Sequence, residues 1–324
     1  MPPGEWIVAE EHQPKPSDYG YNLGRALTSV VGLRSIIPAD AATAEVLGTE
    51  RTGNGVVIRE NGLVLTIGYL VTEAETVWLA THDGRKISGH VLAFDQETGF
   101  GLVQALASLD LPALSFDQSS TAKVGEQVVV AGAGGRAHAV AAKIVAKQEF
   151  AGYWEYYLNE AIFTSPFHPN WGGTALIGAG GDLLGVGSLQ LERTRDGGRA
   201  EPINMMVPID ILKPVLNDLV KFGRLNRPAR PWLGLYSTEI DQRIVVAGLA
   251  KRGPARRAEL RTGDIILAVG GNEVSDLADF YRKIWSLGAA GVGVPLTIHR
   301  DGDTFDVTVK SGERGQFLKK PSVH

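Results

Sequence analysis

The sequence contains no cysteine, which excludes disulfide bonds and thiol chemistry. It also has no apolar run approaching the ~18 residues of a membrane-spanning helix, so we expect no membrane insertion. An excess of basic residues is missing as well, since the formal net charge is −4 and the pI is about 6.0. We therefore expect no nucleic acid or other polyanion as a partner.

Glycine, by contrast, is abundant. Forty glycines in 324 residues favour short strands joined by tight turns over long helices. At ~150 residues per domain, the length predicts two or three domains. No group of His, Asp and Glu has the spacing of zinc ligands, and we expect neither a metal nor a cofactor.

The N-terminus has no basic start and no apolar run of signal-peptide length. If Met1 is the native start, the expected compartment is the cytoplasm; if a signal peptide has been removed, it is the periplasm. Residues 1–18 are polar and carry four prolines, which predicts a flexible N-terminal tail.

Residues 19–207 are organised as two successive sets of short β-branched runs with Gly or Asx turns. "GNGVVIRENGLVLTIGYLV" is typical of a hairpin turning at "RENG". Two such sets predict two β-barrels, about 19–116 and 117–207. An apolar helical face in "VPIDILKPVLNDLVKFG" then predicts a closing helix, about 209–222, whose start Pro214 delays.

After a basic, proline-containing linker at 223–230, residues 231–312 have the order β–β–α–β–β, which describes a small α+β domain. Its helix, "SDLADFYRKIWSLG", has Ser275 or Asp276 as its N-terminal cap and ends at Gly288. Residues 313–324 are expected to be a C-terminal tail.

Several segments, in order, resemble the HtrA/DegP-type serine proteases. They are "GNGVVIRENGLVLTIGYLV", "DQETGFGLV", "PNWGGTAL", the helix with its linker, and "GPARRAELRTGDIILAVGGNEVSDLADFYRKI". Together they span about residues 20–312. The resemblance implies a mainly β fold: a trypsin-like double six-stranded β-barrel at 19–222, followed by a PDZ domain at 231–312.

The same resemblance places non-catalytic residues at every position of the family's Ser-His-Asp triad. Tyr69 stands at the histidine position, Gly99 at the aspartate position and Trp171 at the serine position. A phenol with a pKa of ~10 is a poor base at pH 7, and an indole offers only an N–H donor.

The loop that would form the oxyanion hole is Pro169, Asn170, Gly172 and Gly173 together with Trp171. The family uses two backbone N–H groups there, and Pro169 removes one of them. Trp171 is expected either to plug the former cleft or to form an aromatic floor for a peptide. No intact catalytic residue is predicted.

No other constellation replaces the triad in the sequence. Ser165, Ser188 and His168 lie near the loop, and His82, His90 and His138 are scattered. The histidines are expected to be exposed residues of turns or strands.

The PDZ-like part keeps more of its family's binding pattern. "PWLGL" matches the loop whose N–H groups, at Leu233, Gly234 and Leu235, receive the carboxylate of a peptide C-terminus. Phe280 and Ile284, one helical turn apart, either wall the adjoining pocket or belong to the domain core. The basic run "KRGPARRAELR" either attracts an acidic group or is a solvated face.

The sequence therefore predicts a non-catalytic HtrA-like protein that binds protein or peptide C-termini as an adaptor, regulator or holdase. Tyr19 and Tyr21 lie where the family's trimer contacts do, so a homo-oligomer, a trimer by resemblance, is expected. Two alternatives stay open: an active serine endopeptidase with a relocated nucleophile, and a structural module with a closed PDZ groove.

Overall fold

The computed structural model describes residues 6–194, 198 and 200–319, and these divide into two compact units. The first unit covers the chain to residue 148 and residues 160–224, and the second covers residues 149–159 and 225–320. Within the described residues, no helix is long and apolar enough to cross a bilayer.

The first unit contains two closed six-stranded antiparallel barrels, as the sequence predicts. The first barrel has the strand order β1-β2-β3-β6-β5-β4. Its strands are β1 (Val30–Ile36), β2 (Glu50–Arg59), β3 (Leu63–Ile67), β4 (Thr76–Ala80), β5 (Lys86–Phe94) and β6 (Phe100–Ala105). Strand β3 is buried along its whole length, which its uninterrupted apolar run explains.

The second barrel has the order β10-β11-β12-β9-β8-β7. Its strands are β7 (Gln127–Ala131), β8 (Ala139–Gly152), β9 (Tyr156–Ser165), β10 (Ala175–Ile177), β11 (Leu183–Thr194) and β12 (Ala200–Pro208). Residues 149–159 belong to the second unit; they are the end of β8, the turn that follows and the start of β9.

Short helices accompany the barrels: α1 (Leu23–Thr28), α2 (Ala44–Leu47) and α3 (Leu216–Phe222). The predicted closing helix begins only at Leu216, after Pro214, with a single 3-10 turn at Ile209–Ile211 before it. Gly223 ends α3 at φ +68°, and its N–H bonds the carbonyl of Leu219.

The second unit is an α+β domain with two more strands and one more short helix than the sequence predicts. Its sheet runs β13-β14-β15-β17-β18, with β16 paired to β15. The elements are β13 (Leu235–Ile240), β14 (Arg243–Leu249), α4 (Pro254–Arg257), β15 (Ile265–Val269), β16 (Asn272–Glu273), α5 (Leu277–Ser286), β17 (Gly293–Arg300) and β18 (Asp303–Lys310). Elements as short as α4 and β16 give no periodic signal. Asp276 caps α5 by accepting the N–H of Asp279 at 2.7 Å.

Both predicted tails need correction. Residues 6–18 pack against the second barrel: Val8 is buried in its core, and Glu10–His12 and Pro16–Asp18 form 3-10 turns. Arg314–Phe317 is a 3-10 helix whose Phe317 ring lies 4.8 Å from that of Trp232. Burial of aliphatic and aromatic side chains outweighs the local proline and glycine content. The remaining tail residues, 1–5 and 320–324, lie outside the described part.

Candidate functional site

The loop before β10 contains Trp171, and hydrogen bonds of the His168 side chain fix its backbone. The His168 side chain is fully buried; its Nε2–H donates to the carbonyl of His138 at 2.9 Å, and its Nδ1 accepts the N–H of Asn170 at 3.2 Å. Burial lowers the pKa of His168 to about 4, so the ring is neutral at pH 7. The expectation of an exposed histidine is therefore wrong: both ring nitrogens are engaged in shaping the loop.

Asn54, on β2, joins the first barrel to this loop. Its Nδ2 donates to the carbonyls of Asn170 at 2.9 Å and Gly172 at 3.0 Å, and its Oδ1 accepts the N–H of Ala133 at 2.9 Å. Gly173 is required opposite it, since a Cβ there would lie 1.9 Å from the Asn54 carbonyl oxygen and its φ is +76°. Sequence reasoning missed Asn54, because these contacts join residues more than 75 positions apart.

Tyr69 and Trp171 are brought together above Gly172. The Tyr69 hydroxyl donates to the carbonyl of Ser188 at 3.0 Å, and a Cβ on Gly172 would lie 2.6 Å from that hydroxyl oxygen. Burial raises the pKa of the Tyr69 phenol, and the Trp171 side chain, facing the same oxygen, acts in the opposite direction. A phenol that is neutral and already donating cannot accept a proton from a nucleophile.

Gly99 lies beside this pair through the backbone. Its carbonyl accepts the N–H of Gly68 at 2.7 Å, and its own φ is +81°. Asp95, an acidic residue of the same turn, accepts the Thr98 hydroxyl at 2.6 Å and the Thr98 N–H at 2.9 Å. Asp95 is thus used as a turn cap and not as a carboxylate that orients a base.

The serines near the loop have partners of other kinds. Ser165 donates its hydroxyl to Glu201, and Ser188 is only 3% exposed. With both nitrogens of His168 engaged, neither serine is paired with a histidine base. Among residues 6–194, 198 and 200–319, no group of three His, Cys, Asp or Glu side chains could hold a metal ion.

The PDZ-like loop meets a carboxylate from within the chain. One oxygen of the buried Glu155 side chain, Oε1, accepts the N–H of Gly234 at 2.6 Å and of Leu235 at 2.9 Å. Its Oε2 accepts the N–H of Leu233 at 3.0 Å. These are the three N–H groups that the sequence assigns to a peptide C-terminus.

Glu155 is buried as well as bonded. Burial raises its pKa to about 7, against the lowering effect of the backbone N–H groups and of Arg314. Tyr281 on α5 also faces it: the Tyr281 hydroxyl accepts the Glu155 N–H at 3.2 Å. Sequence analysis assigned no role to Glu155, because its partners at 233–235 lie nearly 80 positions away.

Phe280 and Ile284, the predicted pocket walls, are both fully buried in the core of the second unit. Leu233 and Leu235 are buried in the same cluster, while Ala151 and Tyr157 pack against it from the chain segment 149–159. The core interpretation therefore describes Phe280 and Ile284 in this conformation.

Comparisons with known proteins agree with the two units. Residues 53–186 match the model of a trypsin-like peptidase domain, and residues 231–311 match that of a PDZ domain. A probable periplasmic serine endoprotease, DegP-like, of Hahella chejuensis is 28% identical over 277 residues, which is 82% of this chain and 57% of the relative. The serine endoprotease DegS of Salmonella typhimurium is 23% identical over 91% of this chain and 86% of its own length.

Solved structures give the same fold. The HtrA-type protease AlgW with a tripeptide has a TM-score of 0.54 and 21% identity over 95% of this chain and 99% of its own. A serine endoprotease from Yersinia pestis has a TM-score of 0.53 and 21% identity over 89% and 95%.

The fold and these matches define a trypsin-like peptidase domain followed by a PDZ domain. In this it resembles the HtrA-type proteases. It spans about half the length of the DegP-like relatives that it matches.

Proposed function

We propose that this protein is a non-catalytic HtrA-like pseudoprotease that acts as an adaptor, regulator or holdase by binding protein or peptide C-termini through its PDZ domain. The observation that carries the proposal is the Tyr69 hydroxyl, donated to the Ser188 carbonyl beside Trp171. The positions assigned to the family's base and nucleophile hold side chains bonded to each other and to the backbone.

The proposal is supported by the loop itself. Pro169 offers no N–H, and the Asn170 N–H is directed to His168. Each missing oxyanion donor typically costs ~2.7–4 kcal/mol of transition-state stabilisation. The defects are independent of one another, so no single substitution would restore turnover.

The test is covalent labelling with a fluorophosphonate, together with casein turnover, beside an active HtrA-type protease as positive control. We expect no label and no turnover above a blank. Stoichiometric labelling at one serine, such as Ser165, would establish the rival: an active endopeptidase with a relocated nucleophile.

A second candidate function, a structural module with a closed PDZ groove, is favoured by one observation: the Glu155 carboxylate already bonds the three loop N–H groups. A library of peptides with free C-termini separates the two. No binder tighter than ~1 mM, only ~4 kcal/mol of affinity, would favour the structural module.

Two further properties are proposed by family resemblance. Relatives named periplasmic favour the periplasm over the cytoplasm, which cell fractionation would test.

Self-association, as a trimer, is proposed through the face near Tyr19 and Tyr21, whose rings lie 5.5 Å apart. Sedimentation velocity of the wild type and of Tyr19→Ser measures it; a monomer at high concentration contradicts it.

A further inference from the structure

The turn between β8 and β9 lies in the second unit and is built like a bound peptide. We call residues 149–159 the inserted hairpin. A peptide that binds a PDZ domain by strand addition needs two kinds of contact: a carboxylate on the loop N–H groups, and backbone hydrogen bonds along the adjoining strand. The inserted hairpin supplies the carboxylate contact and one backbone hydrogen bond to the adjoining strand.

The carboxylate contact is complete. Glu155 is 7% exposed, and three backbone N–H groups converge on its two oxygens within 3.0 Å. Above the pKa of about 7 the carboxylate is ionised, and its hydrogen bonds are then about twice as strong as neutral ones.

The backbone contact lies on β13, the strand that follows the loop. The Ser237 N–H donates to the carbonyl of Tyr153 at 2.8 Å. On the other side, the Tyr281 hydroxyl donates to the carbonyl of Gly152 at 2.8 Å. One backbone hydrogen bond thus joins Tyr153 to β13, two residues before the carboxylate.

Side chains fasten the rest of the inserted hairpin. Arg314 donates to the carbonyl of Trp154 at 3.2 Å and attracts Glu155 electrostatically. The Tyr157 hydroxyl donates to Glu149 at 2.6 Å and accepts from Arg282 at 3.0 Å. Arg314 is thus the cation beside Glu155, while Tyr157 and Arg282 hold Glu149 at the start of the hairpin.

The backbone of Glu155 carries a cost that the carboxylate explains. Its φ is +58°, in the left-handed region where glycine or asparagine is unstrained. The strain is offset by the contacts of the side chain.

We propose that the inserted hairpin is a built-in ligand that occupies the PDZ groove, and that a partner with a free C-terminal carboxylate binds by displacing it. This regulation rests on the proposed function of the same groove. The partner must bring an α-carboxylate to replace Glu155 near Arg314, and an extended segment to replace Tyr153 on β13.

If the hairpin must be displaced, the apparent affinity of the groove for an external peptide is its intrinsic affinity multiplied by the fraction of time the groove is free. A hairpin docked ~90–99% of the time weakens peptide binding roughly 10- to 100-fold. Removing the built-in carboxylate therefore tightens binding of the external peptide by that factor.

The experiment selects octapeptides with free C-termini from a library on the full-length Glu155→Ala variant. The best peptide is titrated by fluorescence polarisation against the wild type, Glu155→Ala, Glu155→Gln and the control Glu126→Ala, which removes an exposed glutamate of the first unit. We expect tightening of at least about tenfold for the Glu155 variants alone, and no binding of the same peptide ending in an amide. Circular dichroism confirms the fold of each variant.

A second measurement does not depend on removing Glu155. Because the chain has no cysteine, Tyr153→Cys with Ser237→Cys introduces one pair of thiols, at two residues whose backbones share a hydrogen bond, and mass spectrometry identifies the oxidised form. We expect the oxidised form to lose peptide binding and reduction to restore it.

The outcomes separate the two proposals. Equal affinity of the wild type and both Glu155 variants, or full binding by the oxidised cysteine pair, overturns the built-in ligand and leaves C-terminal binding standing. Failure of every folded variant to select a peptide sinks C-terminal binding itself, and the displacement model with it.

Discussion

Restoring the triad is the sharpest perturbation of the first unit. We expect the triple variant Tyr69→His, Gly99→Asp and Trp171→Ser to remain inactive. Pro169 still denies one oxyanion donor, worth ~2.7–4 kcal/mol, or roughly a 10²- to 10³-fold loss in rate.

The backbone adds a second obstacle at Gly99. Its φ is +81°, where a residue with a side chain typically costs ~1–2 kcal/mol. The backbone at residue 99 is also fixed, because its carbonyl accepts the Gly68 N–H at 2.7 Å. The carboxylate is therefore not expected to reach an orienting position without movement of the turn.

The assay compares the triple variant with a quadruple variant that adds Pro169→Gly, using casein turnover and fluorophosphonate labelling at residue 171. Pro112→Gly in the triple background is the control for a proline replaced outside the loop. We expect measurable labelling only in the quadruple variant. Robust proteolysis by the triple variant would refute the assignment of Pro169 to the oxyanion position.

The other predictions concern stability and pH. Asn54→Ala removes three hydrogen bonds between β2, the loop and Ala133, and should lower the free energy of unfolding by ~2–3 kcal/mol in urea titrations; a change below ~0.5 kcal/mol would contradict it. Gly173→Ala should destabilise more than the control Gly125→Ala, which shares a positive φ but has open space around it, and equal melting temperatures would argue against the close approach. Burial raises the pKa of the docked Glu155 from 4.5 to about 7, so docking of the hairpin is accompanied by proton uptake at pH values between 4.5 and 7. Raising the pH from 4.5 to 7 should then weaken docking, by up to about tenfold per unit, and tighten peptide binding until it levels off above 7; the same pH profile in Glu155→Gln would contradict this origin.

The double barrel and the PDZ domain could be predicted because their signals are local and ordered. Glycine turns, β-branched runs and the helix beginning at Leu277 each reflect a few neighbouring residues, and their sequence along the chain matches one family. The assignment of Tyr69, Gly99 and Trp171 to the triad positions stays a prediction. The structure adds that Tyr69 and Trp171 meet above Gly172.

The contacts that shape both sites could not be predicted, because they join distant parts of the chain. Glu155 reaches Leu233 across 78 positions, and Asn54 reaches Asn170 across 116. Arg314 lies in the predicted C-terminal tail. A single buried arginine among polar residues produces no periodic signal in the sequence, so its burial was not predicted. Such pairs are set by tertiary packing, and no periodicity reports them.

The discontinuous make-up of the second unit has a consequence for how portable the PDZ domain is. Excised at the boundaries of its family match, residues 231–311, it would lose the inserted hairpin and Arg314 together. The Tyr281 hydroxyl would lose its hydrogen bond to the Gly152 carbonyl, and the hydrophobic core would lose its contacts with Ala151 and Tyr157. We therefore expect residues 231–311 alone to be less stable than the complete second unit.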